Sequence, residues 1–118
     1  MRPPMQGRMG QSQVIDVPSL AAGRPDRWWN ADLCEVNGCV VRMGVFEGEF
    51  HWHKHDREDE LFFVVSGRLL LDLEGGTVEL APAQGYTVPR GVLHRTRAER
   101  RTVVLMVEGK GVKPAGDA

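Results

Sequence analysis

The chain is short of several things, and each shortage removes a class of function. Nowhere in its 118 residues does an apolar run approach membrane-spanning length. Arg2 and Arg8 stand near the N-terminus with no apolar core after them, so no secretory signal is expected and cytoplasm is the expected compartment. Charge of one sign is also lacking. The 15 Lys and Arg nearly balance the 16 Asp and Glu, and a net charge of -1 gives no reason to expect nucleic acid or an anionic membrane as a partner. Helical periodicity is scarce, which speaks against a helical DNA-binding module. No repeat of fixed period occurs. Cysteine is limited to Cys34 and Cys39, too far apart for a redox or zinc pair with two-residue spacing. Asn37-Gly38 between them reads as a two-residue hairpin turn. That turn sets Val36 opposite Cys39 and Cys34 opposite Val41, so the thiols are offset and buried free cysteines are expected.

What remains is a chain of short strands, of a length that makes one domain. Residues 1–13 are rich in Gly, Gln, Pro and Arg and read as a flexible arm. A barrel over 14–108 and a loose tail over 109–118 complete the layout. Val14 to Val17 reads as a short strand and Pro18 to Gly23 as one helical turn ended by glycine. Trp28 and Trp29 are adjacent, so at most one faces the core, and the other covers an edge or a subunit interface. Strands follow at Asp32–Val36 and Cys39–Phe46, with a turn or bulge at Glu47-Gly48-Glu49. Further strands are read at Leu61–Val65, Leu69–Leu73, Thr77–Leu80, Tyr86–Val88, Val92–Ala98 and Thr102–Val107. Many short strands at near-regular spacing predict a β-sandwich or barrel. The continuous apolar runs 61–65 and 102–107 suggest strands covered on both sides, the outer side by a second subunit, so a homodimer is expected.

The chemistry is concentrated in His51-Trp52-His53-Lys54-His55, which carries three of the four histidines. Read as a strand, it puts His51, His53 and His55 on one face. Glu60 opens the next apolar run, and His94 follows Pro89-Arg90-Gly91. Imidazole and carboxylate suit a divalent transition metal. By the same parity Phe62, Val64, Val92 and Thr96 line an apolar cavity beside it. His51 is a weak candidate for an acid or base. Glu58 and Asp59 read as loop charges, Tyr86 as packed, Arg90 as solvated. Arg95 and Arg97 face away from His94, and with Arg100 and Arg101 read as a solvated group or as subunit salt bridges.

The order His53-x-His55, four residues, Glu60, six residues, Gly67, then Pro89-x-Gly91-x-x-His94, resembles the two motifs of the cupin superfamily, specifically its small single-domain members. The resemblance covers residues ~45 to ~107. It implies an all-β, double-stranded β-helix or jelly-roll barrel. It also implies one divalent metal per subunit (Zn, Mn, Fe, Ni, Co or Cu) held by His53, His55, Glu60 and His94. Dioxygenases, isomerases and sugar-processing enzymes belong to this superfamily, as do binding or sensing barrels without activity. A metal-dependent enzyme acting on a small molecule in the barrel is the first expectation. A non-catalytic binding module or a barrel with a vestigial site is the alternative. Three positions depart from the pattern. Ala83 stands where a glycine is usual, Gly48 is one residue closer to the histidines, and Ala98 replaces a frequent polar residue.

Overall fold

The structure is a computed structural model that describes residues 11–112 and Gly116. It is an all-β jelly roll. In chain order the elements are α1 (Val17–Ala22), β1 (Trp29–Val36), β2 (Cys39–Glu49), β3 (Glu60–Ser66), β4 (Leu69–Leu73), β5 (Gly76–Leu80), β6 (Gly85–Val88) and β7 (His94–Gly109). The hydrogen-bonded order is β1-β2-β7-β3-β6, with β4 joined to β5 and to β7. The first ten residues and, in the tail, residues 113–115, 117 and 118 lie outside the described residues.

Three expectations change in the structure. The stretch 14–17 is not a strand. Asp16 instead caps α1, its carboxylate accepting from the backbone N–H of Ser19 at 3.1 Å, and Pro18 occupies the first turn, where a missing N–H costs nothing. The runs 92–98 and 102–107 are one continuous strand, β7, that serves two sets of partners. Its first half pairs with β4, from Leu73↔His94 to Leu70↔Arg97, and its second half lies between β2 and β3. The segment 51–55 is not a strand either; its ladder contact is the bridge His53↔His94.

The hairpin at Asn37-Gly38 holds as read, with Val36↔Cys39 and Cys34↔Val41 in register. Both cysteines are free thiols, but Cys34 is half-buried and Cys39 exposed where burial was expected, because both lie on the edge hairpin. The register of β2 against β7 slips between Phe46 and Gly48, a bulge where Glu47-Gly48-Glu49 predicted a turn or bulge. Gly67 has φ 87°, and a side chain there would run into Thr102, whose hydroxyl donates to the carbonyl of Arg68 at 3.1 Å.

Alternation along β2, β3 and β7 creates two cores. Inside the barrel, Phe46, Phe62, Val64, Val104 and Met106 pack with Leu69, Leu71, Leu80, Val88 and Ala98. On the opposite face Met43, Val45 and Val103 pack against Leu33 and Ala21, with Ile15, Val17, Trp29, Val65 and Leu105 around them. This outer face is therefore covered by the chain's own segment 15–33, where a second subunit was expected. Arg101 ties that segment down through the carbonyls of Ala21 (2.6 Å), Arg24 and Asp26 (3.2 Å), satisfying acceptors at the end of α1. Arg95 and Arg97 of the same strand are likewise paired within the chain. Asp72 accepts from Thr77 (2.7 Å), Arg95 (3.0 Å) and Arg97 (2.7 Å), and the Arg97 hydrogen bonds hold its carboxyl well below the usual carboxylate range. Among the described residues, no helix is long and apolar enough to cross a membrane.

Candidate metal centre

Four buried side chains, His53, His55, Glu60 and His94, converge at one end of the barrel interior. One ligand atom from each lies within 4.8 Å of the other three. Each arrives for a local reason. Glu60 begins β3 and His94 begins β7, so both are fixed by the ladder. The irregular segment 50–55 is stitched onto β7 and the loop before it. Phe50 N–H donates to Thr96 O, His53 and His94 exchange both backbone hydrogen bonds, each at 2.9 Å, and Gly91 N–H donates to His55 O at 2.7 Å. The charged loop that follows is held too, since Asp59 accepts from the N–H of Arg90 at 2.9 Å. Glu58 and Asp59 are thus loop charges, outside the cluster.

The ring orientations suit a cation. His53 Nδ1 lies 2.9 Å from the carbonyl of His51, and His94 Nδ1 lies 2.9 Å from the carbonyl of Val92. A carbonyl only accepts, so both Nδ1 atoms carry the proton and both Nε2 atoms keep their lone pair. Backbone carbonyls thereby play the orienting role that metal-bound histidines usually need. Glu60 Oε1 is 3.2 Å from His55 Nε2 and 3.4 Å from His94 Nε2. Donors that each bind one ion at ~2.0–2.2 Å stand roughly 3.0–3.4 Å apart. Glu60 Oε1 and His94 Nε2 are buried and make no well-formed hydrogen bond among the described residues. Two lone pairs facing each other in a buried site call for a cation between them. The donor set therefore fits a divalent transition metal.

Electrostatics follow from burial and neighbours. Burial pushes the imidazole of His53 down to about 4, so it is neutral and available as a ligand at neutral pH. Burial alone would raise Glu60, but the polar groups around its carboxylate outweigh that and hold it in the charged form. Glu108 shows the opposite result. Burial, then the hydrogen bond and charge of Glu60, push it up to about 9 against the pull of Arg42.

A narrow cavity of about 50 Å³ adjoins the cluster, with His53 and Glu60 in its wall. Phe46, Phe62 and Met106 make its apolar sides, while Thr96, Asn30, Arg42 and Glu108 supply polar groups. Of the four cavity residues read from parity, Phe62 and Thr96 line it. Val64 lies in the apolar core and Val92 packs against that core. Trp28 stacks near Phe46 and Phe50, with ring centroids at 5.1 and 5.7 Å, and all three also border a wider outer depression. His51 lines that depression, is exposed and leaves the inner cavity to His53. Of the three alternating histidines, His53 and His55 are buried in the cluster and His51 is exposed, so one inward face shared by all three is not observed. Trp29 turns the other way, into the outer core. Tyr86 packs against the inner core and Arg90 is exposed.

Sequence reasoning missed Arg42, Glu108 and Asn30. The signal for the first two was parity. Arg42 interrupts an apolar strand on the same face as Phe46, and carrying the last strand one residue past Val107 places Glu108 on the face of Met106. Ala98, where a polar residue is frequent, is 2% exposed in the inner core.

Comparison with known proteins fits this geometry. The chain is 45% identical over 100 residues to the uncharacterised protein YdbB of Bacillus subtilis (strain 168), covering 84% of this chain and 88% of YdbB. A crystal structure of a cupin-2 domain protein from Shewanella frigidimarina matches with a TM-score of 0.78 at 27% identity, over 82% of this chain and 95% of that one. The crystal structure of NMB1881 from Neisseria meningitidis is similar in fold, with a TM-score of 0.74 at 22% identity, over 83% of this chain and all of the other (100%). The cupin-domain family model, Cupin_2, matches residues 39–108. A match over more than half of the chain, together with the jelly roll and the His/Glu cluster, makes this protein a member of the cupin domain family.

Proposed function

We propose that the protein is a metal-dependent enzyme acting on a small organic molecule. The observation that carries this reading is the placement of four buried donors against a cavity that is walled by apolar side chains. A divalent metal bound there would supply Lewis acidity toward an oxygen of the ligand. The chain's own residues do the rest. His53, His55, His94 and Glu60 hold the ion. Phe46, Phe62 and Met106 shape the ligand and keep bulk water out, and Trp28 and Phe50 stand at the opening. Thr96, Asn30 and Arg42 offer hydrogen-bonding groups along the wall that select orientation. Dioxygenase, isomerase and sugar-processing chemistry are all compatible with such a site.

One observation favours the rival reading, a binding or sensing module without turnover. His51, the acid–base candidate outside the ligand set, faces the outer depression rather than the inner cavity. The two readings share the metal and separate on turnover. Purified protein should carry near-stoichiometric Zn, Mn, Fe, Ni, Co or Cu by elemental analysis. His53→Ala combined with His94→Ala should lower the bound metal to background. Full occupancy in that double variant would end the metal-centre reading. In metal-loaded protein, small ligands that raise the melting temperature but stay chemically intact under every metal would favour the binding module.

A further inference from the structure

We propose that the substrate is a two-part molecule: a narrow head with oxygen ligands that enters the inner cavity, joined to a flat, uncharged ring that stacks on Trp28 and Phe50 in the outer depression. The proposal rests on the reading of His53, His55, Glu60 and His94 as a metal centre, and it names the class of small molecule that this centre takes.

Size divides the molecule. The cavity beside the cluster holds about 50 Å³. A cavity that takes a benzene ring is of order 150 Å³, so the inner space admits a head of a few heavy atoms and no ring. The outer depression holds about 480 Å³, ample for a ring. The two spaces are continuous. Trp28, Asn30, Phe46 and Phe50 line both, so a ligand seated in the depression reaches toward His53 and Glu60 between these four side chains.

Chemistry defines the body. The ring of Trp28 has its centroid 5.1 Å from that of Phe46 and 5.7 Å from that of Phe50, and Phe50 lies 4.2 Å from the imidazole of His51. These rings form one aromatic wall along the depression. Trp28 is 38% exposed there, an indole left open to water beside a concave site. A flat ring laid on it gains the offset or tilted contact that the protein's own rings make with one another. A saturated ring gains apolar burial but no such contact between ring quadrupoles. Of the residues lining the depression, Glu49 is the one Asp, Glu, Lys or Arg, and its carboxylate is paired with Arg95 at 3.4 Å. An ionic body would therefore leave water without a counter-charge to meet it. Asn30 is the polar side chain shared by both spaces, placed to bond the polar group where head and body join.

Hydroxamates test this, because one chelating head can carry different bodies. Protein loaded with zinc(II) is titrated calorimetrically with acetohydroxamate, benzohydroxamate and cyclohexanecarbohydroxamate. Benzohydroxamate should bind ~10- to 100-fold more tightly than acetohydroxamate, and ~3- to 10-fold more tightly than the cyclohexyl compound. In Trp28→Leu and Phe50→Leu the phenyl-over-methyl ratio should fall to about threefold or less, with thermal melts as the folding control. The ratio compares two ligands on one protein, so a general loss of structure does not move it. Equal affinity of the wild type for the methyl and phenyl compounds would overturn the proposal, as would a phenyl preference that persists in both folded variants. A cyclohexyl compound that binds as tightly as the phenyl one would overturn the flat ring, and zinc-loaded protein that binds none of the three would overturn the route to the cluster. Wild-type protein that takes up no zinc would overturn the metal-centre reading itself, a result distinct from all of these.

Discussion

The two faces of the sheet formed by β2, β7 and β3 use the same strands for opposite purposes. The outer face is apolar at its covered centre: Met43, Val45 and Val103 meet Leu33 and Ala21 under residues 15–33, with Arg101 bonding that cover. The inner face is graded. Val64 and Val104 lie at its apolar end, Phe62 and Met106 in the middle, and Glu60 and Glu108 at the end that carries the His/Glu cluster. Burying Arg42, Glu60, Glu108 and three histidines costs stability unless every charge finds a partner. The outer face has no such groups and supplies apolar burial at about 25 cal/mol per Å². The buried polar groups of the candidate site are therefore confined to one end of one face, and the apolar burial under segment 15–33 offsets what they cost.

A matched pair of methionines breaks or sharpens this comparison most directly. Met43 is 0% exposed on the outer face, while Met106 lines the inner cavity. Met43→Ala leaves a void among packed neighbours and should cost roughly 3–5 kcal/mol in urea unfolding, near the upper end for such truncations. Met106→Ala enlarges a space that is already open on one side and should cost about 1–3 kcal/mol. Metal stoichiometry should survive both changes. Equal losses from the two variants would mean that the inner face is packed as tightly as the outer one, and the division of labour would fail.

The next test is the pH dependence of the metal-free protein, which reports only on the inner face. Two groups oppose each other there. His53, lowered to about 4 by burial, is protonated first in the unfolded chain, so its contribution is complete above ~6.5 and is lost as pH falls toward 4. Glu108, raised to about 9 by burial and Glu60, is protonated in the folded state at pH values where the unfolded chain has released its proton. Its contribution is present below ~4.5 and is lost as pH rises to 9. Between ~4.5 and ~6.5 the two slopes cancel. Above ~6.5 only Glu108 acts, and stability should fall by up to about 1.4 kcal/mol per pH unit until ~9. Denaturant unfolding across pH 5–9 measures this limb, and Glu108→Gln should flatten it. A limb that persists unchanged in that variant would show that another group causes it.

Much of this was legible in the sequence. Turn chemistry at Asn37-Gly38, the bulge at Gly48 and period-two alternation placed most strands, and the four residues that the structure brings together, His53, His55, Glu60 and His94, were read from spacing and resemblance. The histidine segment was misread because alternation of polar and aromatic residues mimics a strand. A regular strand would carry a continuous ladder, whereas segment 50–55 meets β7 at the bridge His53↔His94 and a few backbone hydrogen bonds. The part that residues 15–33 play on the outer face was not read because they show no strong period. Their role emerges only when Arg101, 75 to 80 residues away, gathers the carbonyls of that segment. Arg42 and Glu108 were hidden for a related reason: each looks like a surface charge until the strand order brings them side by side.

The smallest expected effect concerns the apolar end of the inner face, far from Glu60 and Glu108. There the loop between β5 and β6 closes over β3. Ala83 N–H donates to Val64 O at 2.8 Å, and Val64 N–H donates to Gln84 O at 2.9 Å. Ala83 has φ 65°, the left-handed conformation in which its Cβ crowds the backbone at a cost of ~1–2 kcal/mol. It also stands where glycine is usual in the motif, so the chain keeps the turn and accepts the strain. Ala83→Gly would relieve that strain but loosen the unfolded chain by about 0.4–1 kcal/mol. The net expectation is a gain of about 0.5–1 kcal/mol, a few degrees in melting temperature, with metal content unchanged. A loss of stability in that variant would show that the alanine methyl makes contacts worth more than the backbone strain. A change in metal content would show that the two ends of the inner face are coupled.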